Sequence, residues 1–140
     1  MSGWVSDSAP ALAYHSGQIA LAWSRYTRSM TQSVVRLAAS PGGAWNASTL
    51  SWGGIKNEAP DLCYDGDTLH AVWVHIGTVA HAEGRPGAMT AHTVPSAHVT
   101  GAKVAASNGR VFIGWSVRTA AETPDGSRSA PTGCGPWLPC

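Results

Sequence analysis

Ala59-Pro60-Asp61-Leu62-Cys63-Tyr64 runs into a turn at Asp65-Gly66-Asp67 and then into Leu69-His70-Ala71-Val72-Trp73. Two short apolar runs joined by Asp and Gly read as a β-hairpin, since glycine supplies the positive φ that a tight reversal needs. The same plan stands earlier as Ala9-Pro10-Ala11-Leu12-Ala13-Tyr14, a turn at His15-Ser16-Gly17, and Ile19-Ala20-Leu21-Ala22-Trp23. A weaker third copy reads Ala102-Lys103-Val104-Ala105-Ala106, Ser107-Asn108-Gly109 and Val111-Phe112-Ile113-Gly114-Trp115. Its closing tryptophan lies 42 positions after Trp73, which itself follows Trp23 by 50. Periods in this range belong to stacked repeat units.

A repeated hairpin with a closing Trp at such a period points to propeller blades. The expected strands of the first unit are 9–14, 18–24, 32–39 and 45–52, with a Pro-Gly-Gly reversal at Ser40-Pro41-Gly42-Gly43-Ala44-Trp45. The second unit repeats as 59–64, 68–74 and 78–82, a turn around Glu83-Gly84-Arg85-Pro86-Gly87, and 88–94. The third holds 101–106 and 110–117. The chain therefore divides into units at about 5–52, 53–94 and 95–117, followed by an irregular Ser/Gly/Pro-rich tail at 118–140. No amphipathic helix competes, because Thr31, Val34 and Val35 favour a strand in the best helical window. The fold class is all-β, a partial β-propeller of about three four-stranded antiparallel blades.

Alternation along the strands predicts one face per unit. Leu12, Tyr14, Ile19, Leu21 and Trp23 form it in the first unit, and Leu62, Tyr64, Leu69, Ala71 and Trp73 in the second. Ala11, Ala13, Ala20 and Ala22 make an opposite face of small residues that a neighbouring unit can approach closely. A single unit cannot bury both faces, so stacking is required.

Charged residues make up only 12% of the 140, against about 25% in an average globular protein. Nine Lys and Arg balance eight Asp and Glu, for a net charge of +1. That leaves no electrostatic footprint for nucleic acid. No apolar run approaches the roughly 20 residues of a membrane-spanning helix. Met1-Ser2-Gly3-Trp4-Val5-Ser6-Asp7 has neither the basic start nor the apolar stretch of a secretory leader. It reads as the tail of a strand, as though the chain begins partway through a unit. Cys63 reads as a small core residue. Cys134 and Cys140 flank a short loop that a disulfide or a metal clip could close, and the compartment stays open.

The Ala-Pro pair, the alternating second strand ending in Trp, and the loose Ser40…Gly43…Trp45 frame together resemble sialidase-type (neuraminidase-like) blades. That family's Asp-box, Ser-x-Asp-x-Gly-x-Thr-Trp, is degenerate here, since its Asp and Thr are missing. The second unit keeps only the glycine, in Ala82-Glu83-Gly84-Arg85-Pro86-Gly87-Ala88-Met89. Similar blades occur in secreted sugar-binding propellers. The resemblance implies a six-bladed ring, and three blades would leave open edges, so either the chain is a piece of a larger propeller or two identical chains close the ring. The expected partners are thus a second copy of the chain and a carbohydrate or small-molecule ligand. A secreted location is what the family resembled implies.

The resemblance also places the site at the mouth of the central channel. The loops there hold Asp7 and Ser8; Lys56, Asn57, Glu58 and Asp61; Arg25, Tyr26 and Arg28; and His75. On this reading Glu58, Asp61, Arg25 and His75 are the candidate catalytic residues, and Asp7, Arg28, Tyr26 and Lys56 contact the substrate. Glu58 and Asp61 could divide acid and base roles, while Arg25 and Arg28 could clamp a carboxylate. Trp45, Trp52 and Tyr26 could instead stack on sugar rings. Six histidines are present, and His70, His75, His81, His92 and His98 fall in or just after the second unit. Imidazole is the commonest transition-metal ligand, which makes His75 a candidate ligand and zinc a candidate cofactor. His70 reads as a packed histidine. No His-Glu-x-x-His spacing and no Gly-x-Ser-x-Gly elbow is present. Two functions follow: glycan binding, or hydrolysis, through acidic residues at the channel mouth or through metal-assisted His chemistry.

Overall fold

The computed structural model describes residues 4–27, 33–41, 45–51 and 56–119. The described residues form ten strands and no helix: β1 (Trp4–His15), β2 (Gln18–Thr27), β3 (Ser33–Pro41), β4 (Asn46–Thr49), β5 (Asn57–Asp65), β6 (Thr68–His75), β7 (Thr78–Arg85), β8 (Ala88–Val94), β9 (Val99–Ser107) and β10 (Arg110–Val117). They pair antiparallel in chain order as two four-stranded sheets, β1-β2-β3-β4 and β5-β6-β7-β8, and a two-stranded β9-β10. Arg28, Trp52, the Gly42–Ala44 reversal and the tail from residue 120, including Cys134 and Cys140, lie outside the described residues.

Local chemistry sets the hairpins. At Asn108-Gly109 both residues have positive φ, 53° and 73°, as a type I′ turn requires. Its twist matches that of the flanking strands. Two strands begin earlier than their apolar runs suggest. β1 starts at Trp4 and β5 at Asn57, each passing through a register shift, between Ser8 and Ala11 in one and between Glu58 and Asp61 in the other. The repeated Ala-Pro therefore marks a bulge rather than a strand head. Proline has no N–H to give a ladder, and a bulge relieves that deficit while letting the strand continue. Likewise β7 extends through Glu83 and Gly84 to Arg85, so the reversal narrows to Pro86-Gly87.

The second sheet is covered on both faces. Its Leu62, Leu69, Ala71, Trp73, Ala80 and Ala82 pack on Ala13, Ala20, Ala22 and Leu37 of the first sheet. Side chains no larger than a methyl on the first sheet let the Trp73 ring lie close against it, fully buried. On the other face Val72, Val74 and Val79 pack on Val99, Ala102 and Val104, with Val111 and Ile113 alongside. At both junctions the Trp-bearing face of one unit meets the opposite face of the unit before it. Among the described residues no sheet covers the Trp face of the first unit. Leu12 and Tyr14 on its Trp face remain 65% and 66% exposed, and Trp23 is only partly buried where Trp73 is completely so. At the far end Phe112 is 57% exposed, on the face that no described sheet covers.

Candidate functional site

The first strands of the three units lie side by side, β5 between β1 and β9. Their starts bring corresponding positions together. Asp7 faces Arg25 across β1 and β2, Asn57 faces His75 across β5 and β6, and Val99 faces Val117 across β9 and β10. In the first unit Arg25 grips Asp7 with two bonds, Nε to Oδ1 at 2.7 Å and Nη2 to Oδ2 at 2.9 Å. Those bonds hold the Asp7 carboxyl below its ordinary pKa, with help from the guanidinium charge and from a hydrogen bond to the Trp23 indole. The pair is half exposed.

In the second unit a neutral amide replaces the ion pair. Asn57 Oδ1 accepts Trp73 Nε1–H at 3.0 Å and lies 2.9 Å from His75 Nδ1. Indole nitrogen can only donate, so the atom facing it is the amide oxygen. An oxygen there requires the proton of His75 on Nδ1, which leaves the lone pair of the neutral ring on Nε2. The amide thus fixes the histidine tautomer.

The remaining predicted residues separate. Asp61 joins the second sheet to the third: Oδ2 accepts Val104 N–H at 2.9 Å and Oδ1 lies 3.4 Å from Lys103 Nζ. Glu58, three residues before it and across the bulge, is exposed and faces another surface. Tyr26 is half-buried near the end of β2, opposite Ser6 and Ser33, and Trp45 is 53% exposed. Cys63 is half-buried, and burial first, then the charges of Asp61 and Asp65, push its thiol up to about 11. A thiol so protonated is a poor nucleophile.

Two clefts lie near these groups, and of the predicted residues Lys56 and Glu58 line one of them. The first, about 550 Å³, is lined by Pro10, Ala59, Pro60, Ala102, Lys103 and Trp115, with glycine and Ser116 between them. Pro10, Pro60 and Ala102 occupy the same place in the three repeats, so this cleft sits where the three first strands converge. Trp115 is 44% exposed; Val99, at the place of Asp7 and Asn57, offers its indole no side-chain acceptor. Its exposure was not foreseen, although the shift from Asp and Asn to Val at that position was a visible signal.

The second cleft, about 520 Å³, holds Lys56, Glu58, Ile76, His98, Thr100 and Arg118 over Val74 and Val99. It is closed by matching backbone bonds, Ile76 N–H to Lys56 O at 3.1 Å and Arg118 N–H to His98 O at 2.9 Å, tied together by Val99 N–H to Gly77 O at 2.9 Å. Lys56, Ile76 and His98 all have positive φ. A left-handed conformation costs non-glycine residues free energy, and such residues cluster at ligand clamps.

A separate group of histidines runs across the second sheet. His70 Nδ1 lies 3.2 Å from His81 Nε2, and His81 Nδ1 lies 3.2 Å from His92 Nε2. The first two rings lie 3° from parallel with centroids 5.4 Å apart, meeting end to end through those nitrogens, and His92 meets His81 edge-on. Burial, then the neighbouring His92 and His70, pull the His81 pKa down, against the opposing charge of Glu83. No family model, curated protein or solved structure matches the chain.

Proposed function

We propose that the chain is a glycan-binding module built as part of a sialidase-like propeller, with its ligand seated where the three first strands converge. The observation that carries this reading is the cleft around Trp115. It joins an exposed indole face to Pro10 and Pro60 and to the polar groups of Lys103 and Ser116. An apolar wall with a few convergent polar groups is the usual make-up of a small-ligand site. The apolar face of a sugar ring stacks on an indole, while its hydroxyls bond ammonium and hydroxyl groups. Glycan-array binding followed by titration of the best ligand tests it. Trp115→Ala should abolish binding and Lys103→Ala weaken it. An array with no ligand, or undiminished binding by Trp115→Ala, would sink the proposal.

The propeller reading draws on the polar stacking of the units. Two ends lie open, the Leu12 and Tyr14 face at one and the Phe112 face at the other. These are the two kinds of face that meet at both internal junctions. A second copy, stacked head to tail at both ends, would supply six units and close the ring.

Hydrolysis is the second reading, favoured by Glu58 beside Lys56, His98 and Arg118 in the other cleft. There Glu58 serves as acid or base, and the two cations hold an anionic substrate. The Arg25 clamp does not join it, because Asp7 already engages the Nε–Nη2 edge of its guanidinium and Arg25 does not line this cleft. Turnover of sialosides, simple glycosides or activated esters that vanishes in Glu58→Gln, with glycan affinity unchanged, would place hydrolysis ahead of binding.

A further inference from the structure

We propose that His70, His81 and Glu83 bind a transition-metal cation, zinc by its donor set, through His70 Nδ1, His81 Nε2 and a Glu83 carboxylate oxygen. The three donor atoms lie within 4.8 Å of one another. Zinc–nitrogen bonds of about 2.0–2.1 Å in a tetrahedron set neighbouring donors roughly 3.3 Å apart. The two imidazole nitrogens already stand 3.2 Å apart, and Glu83 Oε2 lies 3.7 Å from His70 Nδ1. Drawing the exposed Glu83 carboxylate inward and turning the two rings so that their lone pairs share one point completes three ligands.

The strand ladder pre-positions the set. His70 and Glu83 are direct cross-strand partners on β6 and β7, and His81 stands two residues before Glu83 on the same face. Residues so placed are neighbours whatever their rotamers. His70 and His81 are buried beside Val72. Two imidazoles and one carboxylate suit zinc and similar borderline cations, whereas calcium and magnesium prefer oxygen-only shells.

His92 completes the arrangement from outside. A cation on His81 Nε2 requires the His81 proton on Nδ1, and that N–H points to His92 Nε2 at 3.2 Å. An acceptor behind a ligating imidazole fixes its tautomer and raises its basicity. The fourth position opens towards solvent past Glu83, which is half exposed, and water fills it. Neither cleft shares these residues, so failure of the glycan reading leaves this site intact, and the reverse holds as well.

The test uses the full chain, stripped with chelator and returned to metal-free buffer. Cobalt titration should give the visible absorption of a four-coordinate centre saturating at one equivalent per chain. Zinc titration calorimetry should give the same stoichiometry, with a rise in Tm. Glu83→Gln should weaken binding at least tenfold and His81→Gln at least a hundredfold. His92→Gln should weaken it by about tenfold, the low end for loss of an outer partner. His15→Gln, and Cys134→Ser with Cys140→Ser, should bind as the parent does. If His81→Gln fails to fold, the exposed Glu83→Gln still decides the matter. The proposal fails if cobalt produces no such spectrum, or if Glu83→Gln binds with parental affinity. Loss of binding on removing the tail cysteines would equally overturn it.

Discussion

The indole nitrogen of Trp73 donates to Oδ1 of Asn57 at 3.0 Å, and the corresponding Trp23 hydrogen-bonds Asp7. In both units the last residue type of the apolar face is thus tied to the first residues of the strand beside it. The acceptor is an anion in one case and an amide in the other. The residue two positions beyond the tryptophan differs with it, Arg25 in one unit and His75 in the other. Each partner answers the chemistry of its acceptor: a charge takes a bidentate cation, while an amide oxygen takes a neutral ring N–H.

Trp73→Ala should lower stability by about 3–5 kcal/mol, the cost of truncating a fully buried large aromatic. Trp23→Ala should cost distinctly less, because its ring is only partly buried. Urea denaturation of both variants compares them directly. Equal losses would mean that the Trp23 face is covered as thoroughly as that of Trp73.

Asp61 should matter to stability more than Lys103 does. Asp61→Ala leaves the N–H of the buried Val104 without its acceptor, a loss of about 1–3 kcal/mol. Asp61→Asn keeps an acceptor oxygen and should lose much less. Lys103, whose side chain is 80% exposed, should be replaceable by Ala with a change of under about 1 kcal/mol. A series of urea midpoints checks the order, and a Lys103 effect as large as that of Asp61→Ala would contradict it.

Mild acid should destabilise the metal-free protein through His81. Its folded pKa lies below the ordinary 6.5, so between the two values the unfolded chain binds a proton that the folded chain refuses. Stability is therefore complete above about pH 6.5 and falls as pH drops through that value. His70 and His92 add to the penalty for charging His81, and Glu83 reduces it. Urea midpoints at pH 7.5 and 5.5 in chelator should differ more for the parent than for His81→Phe. Identical differences would exclude His81 as the source.

Gel filtration with light scattering should find the parent chain as a dimer. Tyr14→Glu and Phe112→Glu each put a charge on one of the two open faces and should yield monomers. A parent protein that stays monomeric at micromolar concentration would remove the closed ring from consideration.

Strand positions were legible because the apolar alternation and the Gly, Asn and Asp turns agree along each hairpin. The Ala-Pro bulge was not. It preserves the apolar pattern while adding residues to one strand, so β1 and β5 start before their visible patterns do. The equivalence of Asp7 with Asn57 was hidden as well, because the two residues make different partnerships from the same position. Glu58 and Asp61 looked like a pair from their closeness in sequence, yet the bulge between them turns each to a different neighbour. The histidine group was legible from spacing together with the turn positions. His70, His81 and His92 recur every eleven residues across consecutive hairpins with two-residue turns. That interval sets His81 opposite His92 and diagonal to His70, a relation that emerges only once the turns are located.

Because each sheet offers its tryptophan side to the sheet before it, addition has a direction, and a growing stack always presents one unsatisfied surface of each kind. The rotation per sheet alone decides what happens next. A rotation that returns to its starting point ends growth, and one that misses propagates a fibre from the same contacts. In the proposed ring, a substitution at Ala20 or Ala22 that altered this rotation by a few degrees would turn closure into seeded polymerisation without exposing any new apolar residue.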